Sequence, residues 1–285
     1  MESDDIVSRI KEKTDGFSKR QKLIAEYILN NFDKAAFMTA ASLGKAVGVS
    51  ESTVVRFAFE LDFDGYQKFQ KALKDFTIEK STAIQRMEIA SRRIDEDNVL
   101  NSVLKADIAN ILQTMEEIDK DQFEMAVDAV LSAKNIYILG VRSSSALAAF
   151  AGFYFNFLFE NSHVVRSNSA ADILEQLLHV KKGDVVIGMS FPRYSKNTKN
   201  ALEYASKKGA TVICITDNNN SPVVKCSDYC LTARSDMESF ADSFAAPMSV
   251  INAFIVALSM RKKDEVKEVF ERLENMWDEY EVYNK

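Results

Sequence analysis

The sequence predicts an all-helical N-terminal part, a helical connector and a C-terminal α/β sandwich built on a parallel sheet. Three patterns indicate this fold class. Apolar residues recur at helical spacing through the first 76 residues, and residues 77–98 are rich in charge without glycine or proline. From Asn135 onward, short apolar runs alternate with amphipathic segments, as in parallel-sheet proteins. We therefore expect a first domain at 1–77, a connector at 78–98 and a second domain at 99–285.

Composition excludes several classes of protein. The chain has 285 residues, of which 47% are apolar and 27% charged, as in soluble globular proteins. Its longest apolar stretch, from about Ala146 to Phe159, is interrupted by Gly152 and Asn156 and is too short to span a bilayer. The N-terminus is acidic and lacks a hydrophobic signal region. These features predict a cytoplasmic protein without a membrane partner.

Few residues could hold a metal. The three cysteines, Cys214, Cys226 and Cys230, have no metal-ligand spacing and are odd in number, so we expect reduced thiols. The two histidines, His163 and His179, are few as potential ligands for a metal site. We predict no metal and no cofactor.

The first domain is predicted to contain five helices. The expected helices cover 3–13, 18–32, two helices within 41–57, and a last one from about 66 to 76. In the segment 41–57, Gly48 can end the first helix in a left-handed conformation, and Ser50 is a suitable N-cap for the second. Ala41, Leu43, Ala46 and Val47 form the expected buried face of the first helix.

This layout is that of a DNA-reading helix-turn-helix, although a plain helical hairpin in a core has the same pattern. In the DNA-reading interpretation, residues at the start of the second helix meet base edges, and these are Ser52, Thr53 and Arg56. The domain holds 12 Lys+Arg and 12 Asp+Glu, so the remaining 24 and 30 carry the whole net charge of −6. A neutral domain can bind phosphates where its cations share one face, and the candidates include Lys19, Arg20 and Lys45. Each of them taken alone is more typical of a solvated surface charge than of a phosphate contact.

The first domain resembles the N-terminal domain of RpiR/MurR-type bacterial transcriptional regulators. The resemblance lies in the segments 18–25, 43–44, 49–57 and 61–69, and it covers the whole domain. It implies a helix-turn-helix that binds double-stranded DNA. That family often has basic residues where this chain has Ala58, Phe59 and Glu60, and often glycine where it has Asp62.

Helices are also expected from Val99 to Glu117 and from Phe123 to Leu131, where apolar residues keep a helical period and predict packing against the second domain. Five strands are expected beyond them, over 136–140, 163–166, 184–190, 211–217 and 229–232. Their continuous apolar character predicts a parallel sheet covered on both faces. A helix from Ala245 to Met260 and a closing helix from Lys262 to Tyr280 complete the domain.

Two loops at the carboxyl ends of strands are polar in the same way. Ser143 and Ser144 follow the first strand, and Ser190, Arg193, Ser195 and Thr198 follow the third. Ligands of parallel sheets bind at this edge, and hydroxyls and free amides at helix N-termini favour anions. Arg193 could add a bidentate phosphate contact. Ordinary N-capping by Ser143 and Ser195 is the alternative for one loop, but two such loops on one edge favour a ligand site.

Residues 130–260 resemble a SIS domain, the sugar-phosphate fold of sugar isomerases and of RpiR-type regulators. By position, the resemblance implies that Ser144, Ser190, Ser195 and Thr198 hold a phosphate. Arg142 stands where a second glycine is usual, and Phe191-Pro192-Arg193 lengthens the second loop. Arg142 and Arg193 could therefore hold a carboxylate instead.

An enzyme of this fold is the alternative function. In the isomerases a glutamate near residues 235–243 acts as base, which singles out Glu238, although a carboxylate that stabilises a helix start is the more common role for such a residue. His163 and His179 are not expected near the site, so an aldose–ketose isomerase would lack a second group to carry protons. A pure oligomerisation scaffold would leave the two polar loops unexplained.

We therefore predict a non-enzymatic transcriptional regulator that binds a double-stranded operator and is controlled by a sugar-phosphate-like effector. Paired recognition helices need paired half-sites, so we expect a homodimer or a dimer of dimers.

Overall fold

The structure is a computed structural model that describes residues 6–80, 84, 87, 96–236 and 241–283. The chain divides into two compact units, Met1–Arg92 and Arg93–Lys285. Within the described residues, no helix is both long and apolar enough to cross a membrane.

The first unit is a bundle of helices around one apolar core. The helices are α1 (Ile6–Lys13), α2 (Lys19–Asn30), α3 (Phe32–Ala35), α4 (Ala40–Val47), α5 (Glu51–Glu60) and α6 (Tyr66–Lys80). The largest fully buried side chains of its core are Ile10, Ile24, Ile28, Leu43, Phe57, Leu61, Phe69 and Leu73. Phe57 packs its ring against those of Phe17 and Phe69, at centroid distances of 5.1 and 5.9 Å.

A helix-turn-helix is present at α4 and α5, as predicted. Thr39 caps α4 by accepting a hydrogen bond from the Ser42 amide, and Gly48 ends the helix at φ 73°. Because only glycine adopts that backbone conformation without a steric penalty, Gly48 favours a turn at this position. Ser50 then caps α5 by accepting from the Thr53 amide.

Three details of the first unit differ from the prediction. The core face of α4 is Ala40, Leu43 and Gly44, whereas Ala41 and Ala46 are exposed, because they do not lie on the face that residues 40, 43 and 44 share at i, i+3 and i+4. The expected helix 18–32 is broken at Asn31, whose side chain donates to the Tyr27 carbonyl, which gives a sixth helix, α3.

The last helix of this unit also runs further than predicted. It continues past Phe76 to Lys80, and Thr77, the first residue of the extension, is fully buried with its hydroxyl donating to the Leu73 carbonyl at 2.7 Å.

The second unit is a five-stranded parallel sheet with helices on both faces, which confirms the predicted fold class. Its helices are α7 (Val99–Glu117), α8 (Lys120–Leu131), α9 (Ser144–Leu158), α10 (Ala170–Gln176), α11 (Lys196–Lys207), α12 (Ala245–Arg261) and α13 (Lys263–Glu279). The strands are β1 (Ile136–Gly140), β2 (Ser162–Val165), β3 (Val185–Met189), β4 (Thr211–Thr216) and β5 (Tyr229–Thr232).

The strand order is β2-β1-β3-β4-β5, and every neighbouring pair is parallel. The chain therefore moves outward in one direction from β1 to β2 and in the other from β3 to β5. This reversal places a topological switch point between β1 and β3, where sheets of this kind bind ligands beyond the strand ends.

Separate apolar clusters cover the two faces of the sheet. Helices α8, α9 and α12 pack on one face, where Phe155 and Phe254 are buried. Helices α10 and α11 cover the other face with Ile173, Leu177 and Leu202.

One expected packing helix does not pack as predicted. The apolar side chains of α7 point outward, and its buried residues are the polar Asn110 and Thr114. Periodicity identified the apolar face of this helix correctly, but the inner face is the polar one.

Candidate functional site

The exposed side of α5 carries the residues predicted to read DNA. Val54, Phe57 and Ala58 are fully buried and hold the helix in the core. Ser52 and Arg56 are exposed on the opposite side, and Thr53 is half-buried. The helix is therefore fixed by one face and presents the start of its other face to solvent.

Hydrogen bonds order the N-terminus of this helix. The Ser50 hydroxyl lies 3.0 Å from that of Ser52 and 2.8 Å from that of Thr53. Arg56 folds back so that its Nε donates to the Ser52 carbonyl at 3.4 Å. A bond this long and exposed contributes little, so the guanidinium is available to a partner that offers better geometry.

The predicted phosphate-contacting cations lie on other helices of the same unit. Lys19 and Arg20 form the first turn of α2, and Lys45 lies in α4; all three are exposed. Phe17, directly before α2, packs against Phe57 of α5, which places the start of α2 beside the recognition helix. In the described part of the chain, no salt bridge engages these three cations.

The two polar loops of the second unit leave the sheet side by side. Gly140 and Met189, the last residues of β1 and β3, are register partners. A Cβ at Gly140 would lie 2.2 Å from the Ser144 carbonyl oxygen, so the sequence brings the start of α9 directly against the end of β1. The predicted site therefore straddles the switch point between these strands.

Buried hydroxyls without partners mark this edge. The Ser190 Oγ and the Thr198 Oγ1 are both buried and accept or donate no hydrogen bond in the structure. Leaving a buried hydroxyl unsatisfied costs about 1–3 kcal/mol. A ligand or an ordered water can supply the missing partner of such groups.

The serines of the site differ in what they do. Ser195 is the N-cap of α11 and accepts from the Thr198 amide at 3.4 Å. Ser144 is the first residue of α9 and is buried. Ser143 occupies the N-cap position of α9 but makes no capping hydrogen bond, so the capping alternative does not account for it.

Both arginines of the loops have an unusual backbone. Arg142 and Arg193 are exposed and lie at φ 59° and 58°, in the left-handed region that favours glycine. Residues with a Cβ avoid this region, and such strain concentrates at functional sites.

Asn168 joins the two loops, a role that sequence reasoning missed. Its Oδ1 accepts from the Arg142 amide at 2.9 Å, and its carbonyl accepts from Asn197 Nδ2 at 2.9 Å. The only signal was its position in a polar segment just after β2, at the same edge of the sheet.

A second network holds the longer loop in place. The Tyr194 hydroxyl donates to Asp217 Oδ1 at 2.8 Å, and Asn218 Nδ2 donates to Asp217 Oδ2 at 2.6 Å. The Thr216 hydroxyl donates to the Ser190 carbonyl at 2.6 Å. Burial raises the pKa of Asp217, and the hydrogen bonds from its neighbours oppose that rise.

The segment after β5 reaches the same neighbourhood. The rings of Phe191 and Phe244 lie 5.5 Å apart, which joins it to the loop after β3. Ser235, which sequence reasoning did not select, is buried with an unpartnered Oγ. Glu238 lies outside the described residues.

Neither histidine lies where it could act as a general acid or base at the carboxyl edge of the sheet. His163 is on the edge strand β2, with its ring 5.2 Å from that of Tyr137, and His179 is exposed beyond α10. Among the described residues, no three His, Cys, Asp or Glu side chains cluster so as to hold a metal.

Comparisons with known proteins match a domain in each of the two units. A model of the helix-turn-helix domain of the rpiR family matches residues 5–79, and a SIS domain model matches residues 130–257. An HTH-type transcriptional regulator of Clostridium perfringens is 26% identical over 89% of either chain. The regulator RpiR of Escherichia coli K12 is 22% identical over 88% of this chain and 84% of its own.

Two solved structures match the fold of this chain. The sugar isomerase domain of an RpiR transcription factor from Sphaerobacter thermophilus matches with a TM-score of 0.60 and 25% identity, covering 62% of this chain and 99% of that one. The Vibrio vulnificus NanR protein, solved with ManNAc-6P, has the same fold over 95% of this chain and 98% of its own, with a TM-score of 0.56 and 20% identity.

The curated relatives are transcriptional regulators, not enzymes, so the isomerase alternative is set aside. The chain therefore joins a helix-turn-helix domain of the rpiR family to a SIS domain, and it is similar along most of its length to HTH-type transcriptional regulators, among them RpiR and HexR of Escherichia coli.

Proposed function

We propose that this regulator binds a phosphorylated sugar, or a related anionic carbohydrate, at the switch point of its sheet and that the bound effector changes its affinity for an operator. The observation that carries the proposal is the pair of unpartnered buried hydroxyls of Ser190 and Thr198. Both lie beyond the end of β3, where the start of α11 offers free amides.

Phosphate is the anion that fits this chemistry. Its oxygens accept several hydrogen bonds at once, so hydroxyls and helix-start amides can be satisfied together. Ser144, Ser195 and Thr198 bind it from the two helix starts, and Ser143 and Ser190 complete the set. NanR, whose solved structure contains ManNAc-6P, supports a phosphorylated sugar as a ligand compatible with this fold.

The arginines extend the range of effectors. In this proposal Arg193 binds the phosphate bidentately, and Arg142 pairs with a second anionic group. A sugar acid phosphate would use both. Glu238 is proposed to accept hydrogen bonds from the sugar hydroxyl groups.

The first unit supplies the DNA-reading head. Ser52, Thr53 and Arg56 contact base edges in the major groove, and Lys19, Arg20 and Lys45 contact phosphates. We propose residues 1–77 as the DNA-binding domain, 78–98 as the connector and 99–285 as the effector domain of a cytoplasmic regulator. Two heads are needed for two half-sites, so the active form is a homodimer or a dimer of dimers.

The effector-binding part is tested by thermal unfolding with a panel of aldose, ketose, amino-sugar and sugar-acid phosphates. One of them should stabilise the protein, by about 2.7 kcal/mol at a hundredfold excess over its dissociation constant. If none of the panel shifts the transition, the proposal is contradicted.

The decisive variant is Thr198→Val. It replaces an unpartnered buried hydroxyl by a methyl group of similar size, so the apo protein should be as stable or slightly more stable. Its affinity for the stabilising sugar phosphate should fall about tenfold, since one hydrogen bond to a charged group is lost. Thr216→Val is the matched control: its hydroxyl is bonded to Ser190 and Ser221, so this variant should lose stability.

A further inference from the structure

The three cysteines of the chain lie together at one end of the sheet. Cys214 is in β4, Cys230 is in the edge strand β5, and Cys226 ends a short 3-10 helix, Val224–Cys226, just before that strand. All three belong to or pack against the apolar cluster on the face covered by α10 and α11, and all three are free thiols. The fold therefore gathers every thiol of the chain into one cluster.

Two of these cysteines lie side by side across neighbouring strands. Cys214 and Cys230 are register partners in β4 and β5, and their side chains are on the same face of the sheet. Neighbouring strands are about 4.8 Å apart, which is within the range of about 4.4–6.8 Å between the Cα atoms of a disulfide. Because β5 has a neighbouring strand on one side only, it can adjust as a bond forms. The backbone thus holds this pair at a distance that a disulfide can bridge.

The two thiols of the pair have different surroundings. Cys214 is fully buried, whereas Cys230 is partly exposed, with its Sγ 3.7 Å from Oδ1 of the exposed Asn219. The Cys214 thiol donates a hydrogen bond to the Cys230 sulfur, which lowers the pKa of Cys230 and raises the pKa of Cys214. Oxidants attack accessible thiolates rather than buried thiols. Cys230 is therefore suited to react first, and Cys214 is suited to resolve the product.

The third cysteine is less suited to oxidation. The Cys226 thiol donates to the Val223 carbonyl at 3.1 Å, and burial raises the pKa of Cys226 to about 11. It is not in a strand, so no sheet register holds it opposite another cysteine. Cys226 therefore provides a control within the same cluster.

We propose that hydrogen peroxide converts Cys214 and Cys230 into a reversible disulfide within one chain. The Cys230 thiolate attacks a peroxide oxygen, so that an S–O bond forms while the O–O bond breaks, and the hydroxide that leaves takes up the proton released by Cys230. The Cys214 sulfur then attacks the Cys230 sulfur, and the sulfenic hydroxyl group leaves with the Cys214 proton as water. The two sulfurs lose two electrons, and the peroxide gains them.

This site lies next to the loop network of the proposed effector site. Strand β4 continues from Cys214 to Thr216, whose hydroxyl donates to the Ser190 carbonyl. Transient disulfides in proteins of reducing compartments are typical of redox sensing. The proposal rests on the strand register and the surroundings of the thiols, and it does not depend on the effector or on DNA.

Thiol mapping of the full chain tests the proposal. The reduced protein is treated with hydrogen peroxide, unfolded in the presence of N-ethylmaleimide and analysed by mass spectrometry. One of the three cysteines should remain open to alkylation, and peptide mapping should locate a disulfide between Cys214 and Cys230 of the same chain. Dithiothreitol should restore all three thiols.

Three variants identify the role of each cysteine. Cys226→Ser is the matched control and should form the disulfide at the wild-type rate. Cys230→Ser should slow the loss of the remaining thiols at least about tenfold, because the reactive thiolate is absent. Cys214→Ala should leave Cys230 as a sulfenic acid that dimedone labels. Circular dichroism checks that each variant is folded, and the mapping of the wild type does not depend on any of them.

Several results would overturn the proposal. One is a Cys230 that remains open to alkylation at peroxide doses that oxidise free glutathione. Another is a disulfide that involves Cys226 or that joins only two different chains. Sulfinic or sulfonic acid at Cys230 without a disulfide would also overturn it, because Cys214 would then have failed to reach the oxidised sulfur.

Discussion

Two arginines with a glycine-like backbone stand at the strand ends that flank the proposed effector site. Arg142 follows β1 and Arg193 follows β3, at φ 59° and 58°. A left-handed conformation costs a residue with a Cβ roughly 1–2 kcal/mol. We therefore propose that these side chains have a role other than stability, namely to bind the anionic groups of the effector.

Arg193→Gly separates these two contributions. The variant relieves the backbone strain, so its melting temperature should be equal to or slightly above that of the wild type. Its affinity for the stabilising sugar phosphate should fall about tenfold to a hundredfold, since a charge-assisted bidentate contact is lost. Calorimetric titration and a melting curve measure the two effects.

Asp62→Gly is the control for that experiment. Asp62 also has a left-handed backbone, at φ 62°, but lies in the first unit and pairs with Lys13. It should relieve similar strain without changing effector affinity. An Arg193→Gly protein that binds the effector as well as the wild type would show that the guanidinium is not a ligand contact.

The residues that sequence reasoning missed share a physical cause. Asn168 acts through its side-chain oxygen and its backbone, across a distance of 26–29 positions in the chain. Ser235 is notable only because its hydroxyl is buried without a partner. Neither property is visible until the strands bring distant segments to one edge.

At the scale of elements, the recognition helix is stabilised on one side and free on the other. Its buried residues, Val54, Phe57 and Ala58, fix its position, and the Ser50 cap fixes its start. If Ser52, Thr53 and Arg56 read the operator as proposed, specificity depends on very few side chains of α5, of which Arg56 is the longest and the only cation.

Arg56→Ala should weaken specific binding about tenfold to a hundredfold, the loss expected for one good base contact, and should leave non-specific binding nearly unchanged. Lys45→Ala should instead weaken binding to all sequences and reduce the salt dependence by about one ion. Fluorescence anisotropy on a selected operator and on random DNA, at several salt concentrations, distinguishes them. Equal losses on both DNAs for Arg56→Ala would exclude a role in base reading.

Elements were predictable to the extent that a local pattern determines them. Gly48 and Ser50 define the turn and cap of the helix-turn-helix, and apolar runs define the strands. The two errors have different causes. Ala41 and Ala46 lie off the face that residues 40, 43, 44 and 47 share, whereas the pattern of α7 identified an apolar face without indicating what covers it. Three-dimensional burial was needed to decide.

At the scale of the whole molecule, the class of function could be predicted from the sequence because one chain carries two local signatures. These are the pattern of a helix-turn-helix and the polar loops that follow two strands of a parallel sheet. The strand order could not be read from the sequence, and it is the order that makes β1 and β3 neighbours and brings the two polar loops together. The position of the site follows from topology, whereas the identity of its residues follows from the sequence.

Control of the regulator by an effector requires that effector binding and operator binding influence each other. An effector can do this only if it binds the DNA-competent and the incompetent arrangements with different affinity. Couplings of this kind usually change affinity about 5–150-fold, and they act equally in both directions.

The most direct test is a titration of a selected operator by anisotropy, with and without a saturating amount of the sugar phosphate that stabilises the protein. We predict at least about a fivefold change in operator affinity for the wild type. Thr198→Val, at the same effector concentration, should show a much smaller change. An operator affinity that is unaltered while the effector is bound would contradict the account.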